Sequence, residues 1–136
     1  MDQLVAPGAQ EKVRNDKAAQ DIKTALRQAM KNLKLLSDGG IPIAMGTDSG
    51  AANNPGRWQG YFEHRELEMM VESGLSPMQA LVAATGGAAR VMKLEANLGT
   101  IERGRWADLL VLNANPIANI RNTRDIHSVW ISGRRQ

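Results

Sequence analysis

The segment Ile41 to Thr47, IPIAMGT, is apolar at nearly every position and does not alternate apolar with polar residues. A strand with one wet face alternates with a period of two, so such a run needs cover on both faces, as strands of parallel α/β sheets have. Pro42 is compatible with a strand's first position, where a ladder donor is not required. The run starts after Gly39-Gly40 and ends on Thr47-Asp48-Ser49-Gly50. A chain built around it has to bring helices onto the sheet, and helical patterns flank it on both sides.

Residues 1 to 8 read as a lead-in broken by Pro7-Gly8. From about Gln10 to Ser37, Ile22, Leu26, Met30, Leu33 and Leu36 recur at steps of three and four, which predicts a helix with one apolar face. Glycine in the left-handed conformation is expected to close it at Gly39-Gly40. Residues 49 to 60 have loop composition, and a second helix is expected from Tyr61 to Ser73 with Leu67, Met70 and Val71 as its apolar stripe. Ser76-Pro77-Met78-Gln79 is a helix start: Ser caps, Pro takes the first position and Gln completes a capping box. That helix is expected to carry Met78, Leu81 and Val82 inward and to bend or end at Gly86-Gly87, with a further turn from Ala88 to Met92. After Leu94 the texture changes. Leu98 to Gly104 reads as a short strand and turn. Ala107 to Asn113 and Ile126 to Ser132 are strand candidates across an Asn/Pro-rich connection. The expected organisation is an α/β chain, with helix-strand-helix-helix over residues 1–94 and a β segment over 95–136.

Composition narrows the classes. A chain of 136 residues suits one domain, able to bury about two-thirds of its unfolded surface. No apolar run approaches the ~18 residues of a membrane span, and the N-terminus has no apolar core of signal-peptide length. The absence of cysteine excludes disulfides and thiolate metal sites and fits a cytoplasmic chain. The net charge of +3 comes from bases interleaved with acids, as in EKVRNDK and EHRELE, the pattern of a solvated helix face. Three Trp, one Tyr and one Phe do not alternate with basic residues, so a nucleic-acid platform is not expected.

Asp48 carries the sharpest question. A carboxylate just past the C-terminal end of a parallel strand lies where α/β folds bind ligands, and can bind a divalent metal or move a proton. The local residues alone favour the plainer reading, an Asx-type turn or a cap, with Ser49-Gly50 completing it. Ser49 adjoins it, but GTDSG lacks the G-x-S-x-G spacing of a nucleophile elbow. His64 and Glu68 are four apart and share a helix face; the spacing is not H-E-x-x-H, and an exposed charge pair is the simpler reading. Arg57, Trp58 and Tyr61 either line a pocket or cover the helix that follows. His127 reads as a packed or edge histidine of a strand. No glycine-rich phosphate loop occurs.

The strings GIPIAMGTDSG, HRELEMMVESGLSPMQALVAATGGAARVMKL, LGTIERGRWADLLVLNANPIANIRN and IHSVWISGRR, in that order, resemble the C-terminal part of an amidohydrolase-superfamily enzyme of the imidazolonepropionase-like or prolidase-like type. The resemblance runs from about Ala29 to the end. It implies the C-terminal fragment of a metal-dependent (β/α)8 barrel: helix seven over Gln10 to Ser37, strand eight over Ile41 to Thr47 and helix eight over Tyr61 to Ser73. A segment of a small β-sandwich containing Asp108 follows. It also implies that Asp48 is a catalytic residue that binds a divalent metal, zinc in the parent family, and handles a proton. The family's other ligands, an H-x-H pair on strand one, a carboxylated Lys or Glu on strand four and histidines on strands five and six, map to no residue here.

Three functions follow as expectations. One is a segment of a metal-dependent hydrolase of amide, lactam, peptide or ester bonds, acting on a small-molecule substrate with its remaining ligands on a missing N-terminal barrel part. Another is a small stand-alone esterase, metal-independent or weakly promiscuous and needing no cofactor, with Asp48 among its residues to test and Ser49, Trp58, Tyr61 and His64 binding substrate. The last is a non-catalytic, self-associating fold fragment. Self-association is expected under each, because a lone barrel strand exposes unpaired edges.

Overall fold

The structure, a computed structural model, describes residues 16–50 and 58–136; the lead-in, residues 10–15 of the first expected helix and Arg57 lie outside the described residues. Helix α1 spans Lys17–Asp38 and is capped by Asp16, whose side chain accepts from the Ala18 amide at 2.8 Å. Its end is a Schellman arrangement. Gly40 takes φ +75°, its amide donates to the Ser37 carbonyl, and the Ile41 amide reaches back to the Leu36 carbonyl. The apolar stripe on α1 is less buried than its periodicity suggests. Leu33 packs on the core, whereas Ile22, Leu26 and Leu36 are exposed. Periodicity reports which face is apolar, and burial needs a second surface to meet it.

Residues 41–47 form no strand among the described residues. The expected parallel ladder needs a hydrogen-bonded neighbour on each side, and the described residues offer none. The segment lies instead against a helical turn, with the Met45 amide donating to the Ala83 carbonyl at 3.0 Å and Ile43 and Met45 packed on the core.

Helix α2, Tyr61–Glu72, buries Leu67 and Met70 as its stripe predicts. Helix α3, Pro77–Val82, starts with the expected capping box: Ser76 accepts from the Gln79 amide, and Gln79 accepts from the Ser76 amide. It buries Ala80, while Met78 and Val82, expected inward, are exposed. Helical structure continues through Gly86-Gly87. A π-helical turn over Ala83–Gly87 carries the chain into α4, Ala88–Val91. The core gathers Leu67, Met70, Leu75, Ala80, Ala83 and Ile120.

Gly87 faces the 41–47 segment so closely that a Cβ there would lie 2.5 Å from the Ile43 carbonyl oxygen and 3.1 Å from that of Val82. Both neighbours are backbone and cannot swing aside. Gly86 differs, since its Cβ would meet Gly99 and Thr100 only at ordinary contact distances of 3.5 Å and 3.7 Å. Gly87→Ala is therefore expected to destabilise the chain by about 2 kcal/mol through overpacking. Gly86→Ala is expected to be neutral or slightly stabilising, since Ala suits a helical backbone better. Urea unfolding of the two variants side by side checks this, and equal effects would refute the contact.

The C-terminal part carries a three-stranded antiparallel sheet, β1 (Leu109–Leu112), β2 (Ile126–Ile131) and β3 (Arg134–Arg135), in the order β1-β2-β3. Leu109 pairs with Trp130 and Leu112 with Ile126, with a bulge between Val111 and Leu112. Asp108 accepts from the Ser132 amide at 2.7 Å and so ties the start of β1 to the turn after β2. Leu98 to Gly104, expected as a strand and turn, has turns but no strand. The Asn/Pro-rich connection holds a 3-10 helix over Ile120–Arg124, capped by the Asn119 side chain on the Arg121 amide. Helices and sheet together make a mixed α/β chain. None of the described helices is long and apolar enough to cross a membrane.

Candidate functional site

Asp48 takes φ +52°, a left-handed conformation that L-residues other than Asn, Asp and Gly seldom adopt, and it is exposed. The residues on either side of it are tied down. Thr47 Oγ1 donates to Glu63 Oε1 at 3.2 Å, the Ser49 hydroxyl donates to the same oxygen, and the Ser49 amide donates to Thr47 Oγ1 at 3.3 Å. Glu63 is in turn fixed at the start of α2, where Oε2 accepts from the Gly60 amide at 2.6 Å. A Glu at the third helical position is placed to reach back to that amide. Gly60 has no side chain to return the bond, so only the glutamate half of a capping box is made.

The hydrogen bond from Ser49, opposed by partial burial and aided by the Gly60 and Thr47 bonds, holds the Glu63 carboxyl below its ordinary value. The site thus presents one exposed carboxylate, Asp48, on a turn anchored to a second carboxylate that stays ionised.

His64 lies one residue on and turns away from this cluster. Its Nδ1 is 3.0 Å from Thr123 Oγ1, and that hydroxyl donates to the Ile120 carbonyl at 2.9 Å. With the hydroxyl proton so engaged, the network assigns the His64 proton to Nδ1. Burial, then the Arg124 charge, pushes the His64 pKa down, so the ring is neutral at pH 7. Glu68 is not the exposed partner of His64 that the spacing suggested. It is buried and meets three arginines: Arg124 Nη2 at 2.6 Å from Oε1, and Arg65 Nη1 at 3.2 Å and Arg121 Nε at 3.6 Å from Oε2. The Arg124 contact is a close ion pair whose angles fall short of a hydrogen bond. Arg124 also lies over the Tyr61 ring, 5.1 Å from its centroid, and Tyr61 stacks edge-on to Phe62. Trp58 is exposed at the edge of the loop. His127 Nδ1 is 3.2 Å from the Ser128 hydroxyl.

Among the sequence candidates, Asp48 and Ser49 therefore share one cluster with Thr47, while Tyr61 and His64 belong to the clasp between α2 and the 3-10 helix. Ser49 is bonded to Glu63 and His64 to Thr123, so the two do not form a nucleophile-base pair in this structure. Glu63, Thr123 and Arg124 were not singled out from the sequence. For Glu63 the signal was its place at the third position of α2; for the other two no local signal exists, since their partners are distant in the chain.

Among the described residues no group of three or more His, Cys, Asp or Glu side chains could hold a metal ion. Asp48 is a fitting single ligand, and the described residues do not by themselves complete a metal site, which takes at least three protein ligands for catalytic zinc.

The shifts of His64 and Glu63 predict a pH dependence. Both have folded pKa values below their unfolded ones, so each stabilises the fold above its unfolded value and the gain is lost as pH falls through the folded one. Stability is expected to decline in two stages: below about 6.5, where His64 resists the proton the unfolded chain takes up, then below about 4.5, where Glu63 does the same. Urea midpoints between pH 8 and 3 check this. His64→Gln should flatten the first stage and Glu63→Gln should reduce the second; stability that rises on acidification would contradict both.

Residues 6–135 match the amidohydrolase family. The chain is similar to the 5-methylthioadenosine/S-adenosylhomocysteine deaminase of Shouchella clausii, 35% identical over 81 residues, which cover 54% of this chain and 18% of the relative. It is also similar to the imidazolonepropionase of Symbiobacterium thermophilum, 35% identical over 75 residues, covering 54% of this chain and 17% of the relative. A solved Xaa-Pro dipeptidase with bound methionine superposes with a TM-score of 0.70 and 28% identity, over 93% of this chain and 31% of that one. The chain spans less than a fifth of the length of these two curated relatives.

Proposed function

Because this chain belongs to the amidohydrolase family, we propose that it is the Asp48-bearing part of a metal-dependent hydrolase of C–N bonds (amide, lactam or peptide) or of esters in small-molecule substrates. Residues 1–94 are then the end of a (β/α)8 barrel, with α1 as helix seven, residues 41–47 as strand eight and α2 as helix eight. Residues 95–136 contribute to a small β-sandwich. Asp48 is one ligand of a divalent metal, zinc, whose other ligands come from outside this sequence. The step assigned to this chain is proton transfer: the Asp48 carboxylate accepts a proton as water attacks and returns it to the leaving group.

The observation that carries this reading is the exposed Asp48 turn, held at the end of an apolar segment in a chain of this family. A partner is proposed as well, either the remainder of a barrel or a second copy. Ile41, Leu36, Ile101 and Trp106 are exposed, as expected of surfaces made to be covered. The cysteine-free sequence is in keeping with a cytoplasmic setting. The reading is tested by assaying ester and amide hydrolysis by the chain, alone and mixed with the complementary N-terminal portion of a family barrel, with and without chelator. Chelator-sensitive turnover that needs Asp48 is the expected result. Turnover indifferent to chelator and lost on Ser49→Ala would instead favour a metal-independent esterase.

A further inference from the structure

The geometry points to Glu63 as the positioning residue of Asp48, acting through the hydroxyls of Thr47 and Ser49; this rests on the proposed role of Asp48. A helix cap explains only half of what the Glu63 carboxylate does. Capping α2 needs one oxygen, and Oε2 fills that role on the Gly60 amide at 2.6 Å. The other oxygen turns to residues 14 and 16 positions back in the chain and accepts from both hydroxyls that flank Asp48. Thr47 Oγ1 adds a further bond by accepting from the Ser49 amide. The three bonds close a small frame with Asp48 at its apex, in a left-handed conformation that Asp tolerates better than most residues and that the frame selects.

The arrangement couples two elements. The start of α2 fixes Glu63, Glu63 fixes the turn, and the turn sets where the Asp48 carboxylate stands. Because an ionised acceptor makes stronger bonds than a neutral one, the carboxylate is better suited to hold two hydroxyls than an amide would be. Glu63 touches neither substrate nor a reacting atom. Its work is to preorganise the carboxylate that does.

The test reads backbone geometry and amide exchange by NMR in the full chain, and needs neither metal nor turnover. Glu63→Ala is expected to move the Asp48 backbone out of the positive-φ range. It is also expected to speed exchange of the Gly60 amide roughly tenfold, since it loses a charge-assisted hydrogen bond, and to speed that of the Ser49 amide, whose acceptor Thr47 Oγ1 loses its anchor on Glu63. Signals of β1 and β2 should stay unmoved. Glu63→Gln should restore part of the protection. A Thr47→Val/Ser49→Ala double variant removes the hydroxyls and leaves the cap: Asp48 should lose its positive φ while the Gly60 amide stays protected. The double variant also decides the matter if Glu63→Ala fails to fold. Asp48 keeping its left-handed geometry in the double variant, or Glu63→Ala affecting Gly60 alone, would reduce Glu63 to a helix cap and overturn the inference. Failure of the hydrolase reading shows separately, as hydrolysis unaffected by Asp48→Asn while the turn still depends on Glu63.

Discussion

Glu68→Ala is expected to lower the unfolding free energy by about 3 kcal/mol, toward the lower end of the cost of breaking a buried ion pair. The Glu68 side chain is 6% exposed, and its nearest cation, Arg124, is 38% exposed. Removing the carboxylate leaves the guanidiniums of Arg124, Arg65 and Arg121 converging on an empty buried position. Partial access to water softens the loss, and so does the second partner of Arg65, since Glu72 takes both of its terminal nitrogens at 2.7 Å and 3.0 Å. Among the described residues Arg124 has no such second carboxylate, only the Tyr61 face, so its displacement should loosen the 3-10 helix from α2. Arg121→Ala, by contrast, removes a 3.6 Å contact from a side chain that is 69% exposed. It is expected to cost no more than about 0.5 kcal/mol, as surface pairs do. Urea unfolding of both variants checks the ordering. A Glu68→Ala midpoint indistinguishable from that of Arg121→Ala would mean the hub is ornamental.

On the hydrolase role proposed for it, Asp48→Asn is expected to cut hydrolysis by the assembled barrel by about 10²- to 10⁴-fold, the range supplied by a positioned general acid or base. Asn is nearly isosteric and also tolerates φ above zero, so the turn and the fold are expected to survive. The amide, however, accepts no proton near neutral pH and is a poorer ligand for a hard cation. The loss should therefore fall mainly on kcat, with the thermal midpoint unchanged and bound zinc reduced. Steady-state kinetics, a melting curve and metal analysis on the same preparation separate these effects. Activity within a few-fold of the parent chain would refute the role assigned to Asp48.

The parts of this chain that were legible in the sequence are those whose physics is local. The Ser76-Gln79 box and the glycine stop after α1 join groups within a few residues, and the structure has them where the residue types required. The apolar stripe of α2 was legible because Leu67 and Met70 meet the core, whereas the same pattern on α1 left Ile22 and Leu26 exposed. The strand expected at 41–47 is missing among the described residues for a related reason: an apolar run states that cover is wanted, and a ladder forms only when a neighbour is there to pair. The three-residue steps of the 120–124 turn were hidden in an Asn-rich stretch that reads as loop, although Asn119 caps it and Ile120 enters the core.

By itself, then, the sequence determined three helices, the Ser76-Gln79 box and the glycine stop after α1, two strands near its end, the family, and Asp48 as the carboxylate worth testing. Tertiary structure alone decided what holds that carboxylate and what anchors the helix behind it. Glu63 meets Ser49 and Thr47 across 14 and 16 residues, His64 meets Thr123 across 59, and Glu68 is buried against Arg121 and Arg124 of another element. Caps and turns follow from backbone groups that any neighbouring side chain can reach. Pairings over such distances exist only once apolar packing has brought the elements together, and nothing in the residues nearby records which charge will be buried.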